Sequence, residues 1–199
     1  MALIITTLVF AYLLGSIAFA VVVSRLMGLP DPRSFGSKNP GATNMLRGGN
    51  KKAALLVLIG DALKGWLAVW LTHTFIVPHG AYWLEDIAAI GVFIGHGYPI
   101  FFQFKGGKGV ATALGILLAL NPLLALITFA AWLLVMLISR ISSLSALTAL
   151  VVGPLLSVWL SHSIEERGTI LLLALILLAH HHSNIRKLLS GQETVFKKP

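Results

Sequence analysis

Long runs of apolar residues alternate along this chain with short gaps that hold nearly all of its charged residues. The apolar segments cover residues 1–24, 53–77, 87–104, 109–139, 141–164 and 169–185. A helix that crosses a bilayer needs about 20 apolar residues, or roughly 30 Å at 1.5 Å per residue. The pattern therefore predicts an all-α integral membrane protein.

The segment 109–139 is too long for one crossing, because a helix of its 31 uncharged residues would extend about 46 Å. Asn121 and Pro122 predict a turn between a short fourth helix and a fifth. Residues 1–24 lack a basic start and a small-residue processing site, which favours a span over a cleaved signal peptide. We therefore expect about seven transmembrane helices in one polytopic domain over residues 1–199.

Basic residues are unevenly divided between the two sides of such a bundle. With seven spans, 13 Lys and Arg residues fall on one side, and Arg167 faces the other side with four acidic residues. Cytoplasmic loops are enriched in Lys and Arg, so we expect the N-terminus outside and the C-terminus in the cytoplasm. The thirteen are Arg25, Arg33, Lys38, Arg47, Lys51, Lys52, Lys105, Lys108, Arg140, Arg186, Lys187, Lys197 and Lys198.

Composition narrows the class further. Apolar residues make up 57% of the chain and charged residues 11%, against about 25% charged in soluble domains. The net charge of +8 would suggest nucleic acid in a soluble protein. Here the basic residues lie in short gaps that face phospholipid headgroups or an anionic substrate, so we expect no nucleic-acid partner. The chain has no cysteine, which excludes disulfides and thiolate chemistry.

A glycine- and lysine-rich gap follows the third apolar segment. Residues 95–112 read GHGYPIFFQFKGGKGVAT. Glycines let backbone N–H groups approach an anion, and the next helix adds its positive end, so residues 105–109 predict a phosphate-binding loop. A Walker A motif is excluded by Phe102 and Gly109. Basic anchoring to the membrane is the alternative, although anchoring does not need the glycines.

Another polar block, which we call the first block, lies in the first cytoplasmic gap, and residues 95–112 are the second block. Residues 36–44 read GSKNPGATN, and Arg47 follows. These residue types are common in ordinary turns, and that interpretation stays open. Their hydroxyl, amide and basic groups also form a donor-rich surface suited to phosphate oxygens.

A third polar block, HHSNIRKLLSGQE, spans residues 181–193. Successive helical residues point about 100° apart, so the three adjacent histidines at 180–182 cannot all bind one metal ion. We expect no metal and no cofactor. One histidine is expected to face the bundle, with Asn184 three residues after His181 on the same face. A histidine at the headgroup boundary is the alternative.

Two further polar groups lie near or inside the spans. Asp61 and Lys64 are three residues apart in the second span, where they form either a structural ion pair or part of a substrate site. Arg140 precedes a serine-rich stretch that includes Ser143, and a simple helix cap would also explain that cluster.

The three blocks together resemble the bacterial acyl-phosphate:glycerol-3-phosphate acyltransferases, and the resemblance covers nearly the whole chain. It implies transfer of a fatty acyl group from acyl phosphate to the 1-position of glycerol 3-phosphate, giving lysophosphatidate and phosphate, at the bacterial cytoplasmic (inner) membrane with the active site facing the cytoplasm. The chain departs from the family at Lys187, where the family usually has Arg. A lysine is a point charge and lacks the guanidinium fork.

The resemblance also implies site residues, position by position. The expected catalytic residues are His181, Lys105, Ser143 and Asn184. The expected substrate- and phosphate-binding residues are Ser37, Asn39, Thr43, Asn44, Arg47, His96, Gly106, Gly107, Lys108, Gly109 and Glu193. The expected partners are acyl phosphate, glycerol 3-phosphate and the lipid bilayer.

The residues agree with this chemistry. Acyl phosphate is already activated, so no nucleophilic Ser or Cys is needed, and the H-x4-D motif of other glycerophosphate acyltransferases is absent. The proton of the attacking hydroxyl goes to His181 or to the acyl-phosphate oxygens. A transporter of a phosphorylated metabolite is the alternative, but such a protein would show repeats and polar residues at mid-bilayer. A purely structural membrane subunit would not explain three polar blocks.

Overall fold

All regular structure is helical in residues 1–77 and 81–196, which the computed structural model describes. The helices are α1 (Ala2–Gly15), α2 (Phe19–Leu26), α3 (Ala42–Arg47), α4 (Lys51–Phe75), α5 (Trp83–Gly97), α6 (Val110–Leu120), α7 (Pro122–Ser139), α8 (Ser142–Leu160), α9 (Ile164–His180) and α10 (His182–Leu189). A short 3-10 turn, Ile100–Phe102, lies between α5 and α6. The predicted all-α class is confirmed. Lys197 and Lys198 lie outside the described residues.

Each predicted apolar segment overlaps at least one helix, but the helices differ in length. Among the described residues, α4, α7 and α8 are long and apolar enough to cross a bilayer. The pair α1 and α2, bent by 41°, and the pair α9 and α10, bent by 60°, raise that number to five if each pair is one span. Helix α6 has 11 residues, or about 16 Å. The seven spans and their orientation therefore stay a prediction.

The predicted break at Asn121 and Pro122 is confirmed and has a clear local cause. The Asn121 side chain accepts a hydrogen bond from the Leu124 backbone N–H at 3.1 Å, and Pro122 occupies the first turn of α7. An asparagine cap followed by proline is a strong helix start. The chain also divides here into two compact units, which we call unit 1 (through Leu120) and unit 2 (from Asn121). A single domain over the whole chain stays a prediction.

Close helix contacts hold unit 1 together. Helix α1 packs along α5, and α4 packs along α6. A Cβ atom added at Gly115 of α6 would collide with the Ala62 carbonyl oxygen of α4, so glycine allows the two backbones to touch, as in many membrane helix pairs. Helix α3 packs on α4, with Met45 and Val57 fully buried in a shared apolar cluster.

In unit 2, hydrogen bonds join α7 to α8 and α9. Asn121 Nδ2 donates to the Leu160 carbonyl oxygen at 2.8 Å and to Glu166 Oε1 at 3.2 Å. Near the other end of α7, the Phe196 N–H donates to the Arg140 carbonyl oxygen at 3.0 Å. The C-terminal segment of the described chain therefore returns to the turn between α7 and α8.

Candidate active site

The first polar block forms a loop in unit 1 that is organised by one buried amide. Asn44 is 1% exposed. Its Oδ1 accepts a hydrogen bond from the Ser37 N–H at 2.9 Å, and its Nδ2 donates to the carbonyl oxygens of Pro32 and Phe35 at 2.8 and 3.2 Å. An amide that satisfies three backbone groups fixes the loop conformation. Asn44 is thus engaged with the protein backbone rather than presented to a ligand.

An ion pair fixes the beginning of this loop. Arg33 Nη2 lies 2.7 Å from Asp31 Oδ2, and Arg33 Nε lies 3.0 Å from Asp31 Oδ1. The hydrogen bonds from Arg33 hold the pKa of the Asp31 carboxyl below its usual range, so the pair stays ionised at neutral pH. Arg33 Nη1 also reaches the Phe102 carbonyl oxygen at 3.4 Å. Arg33 therefore links the segment that leads into the first block to the second block.

A cationic cleft of about 430 Å³ opens where these two blocks meet. It is lined by Arg33, Lys38, Pro40, Gln103, Lys105 and Gly106. Three of these six residues carry cationic side chains, which matches the charge and donor requirements of a phosphate monoester. Lys105 and Gly106 were named as site residues from the sequence. Lys38 and Pro40 belong to the predicted first block without having been named individually, and Arg33 and Gln103 were not expected.

The backbone of this cleft is unusual at two of the missed residues. Lys38 and Gln103 have φ values of 58° and 59°, in the left-handed region that non-glycine residues seldom adopt. Such conformations cost free energy and cluster at ligand-binding sites. The sequence carries no signal for either one, since neither residue type favours this conformation. For Arg33 there is one local indication, the sequence Asp31-Pro32-Arg33, in which an acidic and a basic residue lie two positions apart in a turn.

The glycines of the second block lie against the end of α5. The Gly107 N–H donates to the His96 carbonyl oxygen at 3.2 Å. A Cβ atom at Gly106 would collide with the same oxygen, and one at Gly107 would collide with His96 Nε2. The block therefore needs glycine for close packing as well as for access to an anion. His96 itself is 6% exposed.

The remaining expected residues of unit 1 lie in the same two blocks. Ser37 is exposed and Asn39 is half-buried, both in the first loop, and Thr43 and Arg47 are half-buried on α3. In the second block, Lys108 is half-buried and Gly109 is buried. Asp61 and Lys64 form the predicted ion pair, with Lys64 Nζ 2.9 Å from Asp61 Oδ1.

Unit 2 holds the remaining expected residues, and His181 is the most buried of its three adjacent histidines. His181 is 2% exposed, whereas His182 is exposed. His181 Nδ1 lies 2.8 Å from the Leu177 carbonyl oxygen. Because a carbonyl oxygen only accepts, Nδ1 carries a proton, which in a neutral imidazole leaves the lone pair on Nε2. The bend between α9 and α10 occurs at this residue.

Asn184 and Glu193 form a contact of their own in unit 2. Asn184 Nδ2 donates to Glu193 Oε2 at 2.8 Å. A carboxylate repels phosphate but orients an amide well, so Glu193 is better placed to orient Asn184 than to bind an anion itself. Ser143, at the start of α8, has a buried Oγ with no hydrogen-bond partner among the described residues. A buried hydroxyl without a protein partner is expected to form a hydrogen bond with a ligand or a water molecule.

The part of the chain described here holds no group of three or more His, Cys, Asp or Glu side chains arranged to bind a metal. Unit 1 thus brings together cations and backbone amides, and unit 2 brings together an imidazole, an amide and a hydroxyl.

Comparison with known proteins assigns the chain to a family. The family model described as glycerol-3-phosphate acyltransferase matches residues 5–191. A glycerol-3-phosphate acyltransferase of Paraburkholderia phymatum is 56% identical over 190 residues, which cover 94% of this chain and 89% of the relative. One of Cupriavidus taiwanensis is 55% identical over 188 residues, covering 92% of each chain. The chain belongs to the glycerol-3-phosphate acyltransferase family.

Solved structures agree with this assignment. The chain is similar to crystal structures of PlsY (YgiH), an integral membrane glycerol 3-phosphate acyltransferase. In its glycerol 3-phosphate form the TM-score is 0.90 at 37% identity, covering 98% of this chain and 96% of that one. In its lysophosphatidic acid form the TM-score is 0.88 at 36% identity, covering 98% and 95%. The predicted family, enzyme class and membrane character are confirmed, and the acyltransferase is favoured over the transporter.

Proposed function

We propose that this acyltransferase uses acyl phosphate as its donor and acylates the 1-position of glycerol 3-phosphate, which yields lysophosphatidate and inorganic phosphate. The observation that carries the proposal is the cleft lined by Arg33, Lys38 and Lys105, because both proposed substrates carry phosphate. The glycerol 3-phosphate and lysophosphatidic acid forms of PlsY support this choice of acceptor and product.

We assign the binding of the substrate phosphate groups to unit 1. Lys105 is exposed and lines the cleft beside Lys38, and a charge-assisted contact to phosphate oxygen is worth about 1.5–3 kcal/mol. The expected contributors from the same blocks are Ser37, Asn39, Thr43, Arg47, Lys108 and the backbone of Gly106, Gly107 and Gly109. Asn44 and His96 are assigned to holding the two blocks in place, because both side chains are buried against backbone.

We assign the orientation of the reacting hydroxyl and carbonyl groups to unit 2. The Nε2 lone pair of His181 accepts a hydrogen bond from the 1-hydroxyl, and Asn184 and Ser143 donate to substrate oxygens. The hydroxyl oxygen attacks the acyl carbon, a C–O ester bond forms, and the C–O bond to phosphate breaks. Phosphate leaves with the bonding pair and takes the hydroxyl proton. A mixed anhydride needs little help from a strong base, so His181 orients rather than deprotonates.

A donor comparison tests the proposal directly. Purified protein is incubated with glycerol 3-phosphate and, in separate reactions, with palmitoyl phosphate, palmitoyl-CoA and palmitoyl-acyl-carrier protein. We expect lysophosphatidate and stoichiometric phosphate release with palmitoyl phosphate, because no segment of the chain suggests a nucleotide-binding domain. Equal rates with palmitoyl-CoA would contradict the proposed donor. Lys105→Ala serves as the matched low-activity control when glycerol 3-phosphate is kept below saturation.

We also propose that the protein lies in the bacterial inner membrane with both blocks of unit 1 and the third block of unit 2 facing the cytoplasm. The charge asymmetry of the loops supports this orientation. The chain has no cysteine, so single-cysteine variants at the exposed residues Lys38 and Glu165 can be labelled in intact cells with an impermeant maleimide. We expect position 165 to react and position 38 to react only after the membrane is opened. The reverse pattern would invert the topology.

A further inference from the structure

A chain of buried polar contacts in unit 1 leads from the bend between α1 and α2 to the glycine loop. It begins at Lys64, whose Nζ donates to the Ile17 carbonyl oxygen at 2.8 Å. The same Nζ lies 2.9 Å from Asp61 Oδ1, with the Lys64 and Asp61 side chains 1% and 4% exposed. It also lies 5.9 Å from the centre of the Phe19 ring. The ammonium group is therefore held by a carboxylate, a carbonyl oxygen and an aromatic ring.

The chain continues through His96 to the loop. Asp61 Oδ1 lies 3.5 Å from His96 Nδ1, within ion-pair range although longer than a good hydrogen bond. The other ring nitrogen, Nε2, lies so close to Gly107 that a Cβ atom there would collide with it. The His96 carbonyl oxygen meanwhile accepts from the Gly107 N–H at 3.2 Å. His96 thus contacts Gly107 through both its backbone carbonyl oxygen and its ring.

An ion pair in this location is hard to explain by stability alone. Asp61 and Lys64 lie within α4, one of the helices long and apolar enough to span the membrane. Charges at such depth are costly, and apolar residues of similar volume often replace a buried pair without loss of stability. Asp61 of this pair does, however, lie against the His96 ring. That ring packs against Gly107, two residues from Lys105.

We propose that Asp61 and Lys64 are positioning residues for acyl transfer, which hold His96 against Gly107 and thereby place Lys105 and the loop backbone for the substrate phosphate. The proposal rests on the phosphate-binding role assigned to this loop. A displacement of about 1 Å at a reacting group can cost roughly 10²-fold in rate. A small shift of the glycine loop is therefore enough to lower the rate of acyl transfer.

Asp61→Asn tests the proposal, since it removes the charge and keeps the size. Asp86→Asn is the matched control, because Asp86 is a buried acid near the opposite end of α5 from His96. Two quantities are measured for each variant: kcat/KM for glycerol 3-phosphate, and the rate of tryptic cleavage after Lys105 and Lys108 relative to cleavage after Lys51 and Lys52. The cleavage rate reports the loop without requiring any acyl transfer.

For Asp61→Asn we expect faster cleavage after Lys105 and Lys108 and a fall of roughly 10²-fold in kcat/KM, with both quantities near wild type in Asp86→Asn. Wild-type cleavage and kinetics in Asp61→Asn, or equal changes in both variants, would overturn the proposal. Where Asp61→Asn does not fold, His96→Asn withdraws the ring from Gly107 and must give the same two changes. Absence of acyl transfer in the wild-type protein would defeat the proposed function, and the cleavage rates would still decide the positioning role.

Discussion

Unit 1 and unit 2 present different chemistry. The cleft of unit 1 is built from three cations on two loops, Arg33, Lys38 and Lys105, whereas unit 2 offers the imidazole of His181, the amide of Asn184 and the hydroxyl of Ser143 at the ends of helices. Charges on loops suit the binding of phosphate, and hydrogen-bonding groups on rigid helix ends suit the orientation of a hydroxyl and a carbonyl. We therefore expect substitutions in unit 1 to weaken phosphate binding or loop order, and those in unit 2 to weaken the binding of the reacting hydroxyl and carbonyl by smaller amounts.

The largest effect is expected from Asn44→Ala in unit 1. The substitution leaves three backbone partners of the amide without their hydrogen bonds, at a cost of about 2–4 kcal/mol in the free energy of unfolding. Thermal unfolding in detergent measures the change. Asn50→Ala is the control, because Asn50 caps α4 through one hydrogen bond to the Ala53 N–H and its loss costs about 1 kcal/mol. Equal destabilisation by both variants would mean that Asn44 does not organise the loop.

Lys105→Ala is expected to weaken the affinity for glycerol 3-phosphate. Loss of a charge-assisted contact worth about 1.5–3 kcal/mol raises KM for glycerol 3-phosphate by roughly 10- to 150-fold, with a much smaller change in kcat at saturation. Lys52→Ala removes an exposed charge of the same unit and is expected to leave both constants near wild type. A fall in kcat alone would move Lys105 from phosphate binding to the transition state.

His181→Ala provides the matching test in unit 2. Loss of one neutral hydrogen bond to the substrate hydroxyl costs at most about 1.5 kcal/mol, so we expect roughly a tenfold rise in KM and an unchanged shape of the pH profile. Steady-state kinetics across pH measure both. His182→Ala is the control, since His182 is exposed. A fall of roughly 10²–10⁴-fold in kcat, with loss of one pH limb, would make His181 the general base.

The smallest effect is expected from Glu193→Gln. The amide of glutamine still accepts a hydrogen bond from Asn184, but a charge-assisted contact becomes a neutral one, a loss of about 1 kcal/mol. We expect kcat/KM to fall roughly fivefold, and Glu193→Ala to cost clearly more because it leaves Asn184 without this partner. Equal losses in the two variants would show that the charge of Glu193, rather than its contact with Asn184, is what the site needs.

Different parts of the molecule were predictable to different degrees. The break at Asn121 was predictable because an asparagine cap and a proline act within four residues. The contribution of Arg33 to the cleft was not, because it depends on a contact with Phe102 that is 69 residues away. The exact bounds of the helices within the predicted spans were also not predictable, since periodicity and hydropathy do not show that α5 ends at Gly97, before Pro99 and the 3-10 turn.

The sequence by itself determined the membrane class, the placement of Asp61 and Lys64 on one face of a helix, and the three polar blocks. Length of apolar run, spacing along one helix and residue type are local properties, so they can be read without coordinates. Only the tertiary structure decided that Asn44 faces the loop backbone, that His181 is the most buried of the three adjacent histidines, and that Gly107 packs against His96. Each of these depends on which surfaces meet over long separations in sequence, and packing rather than local preference sets that arrangement.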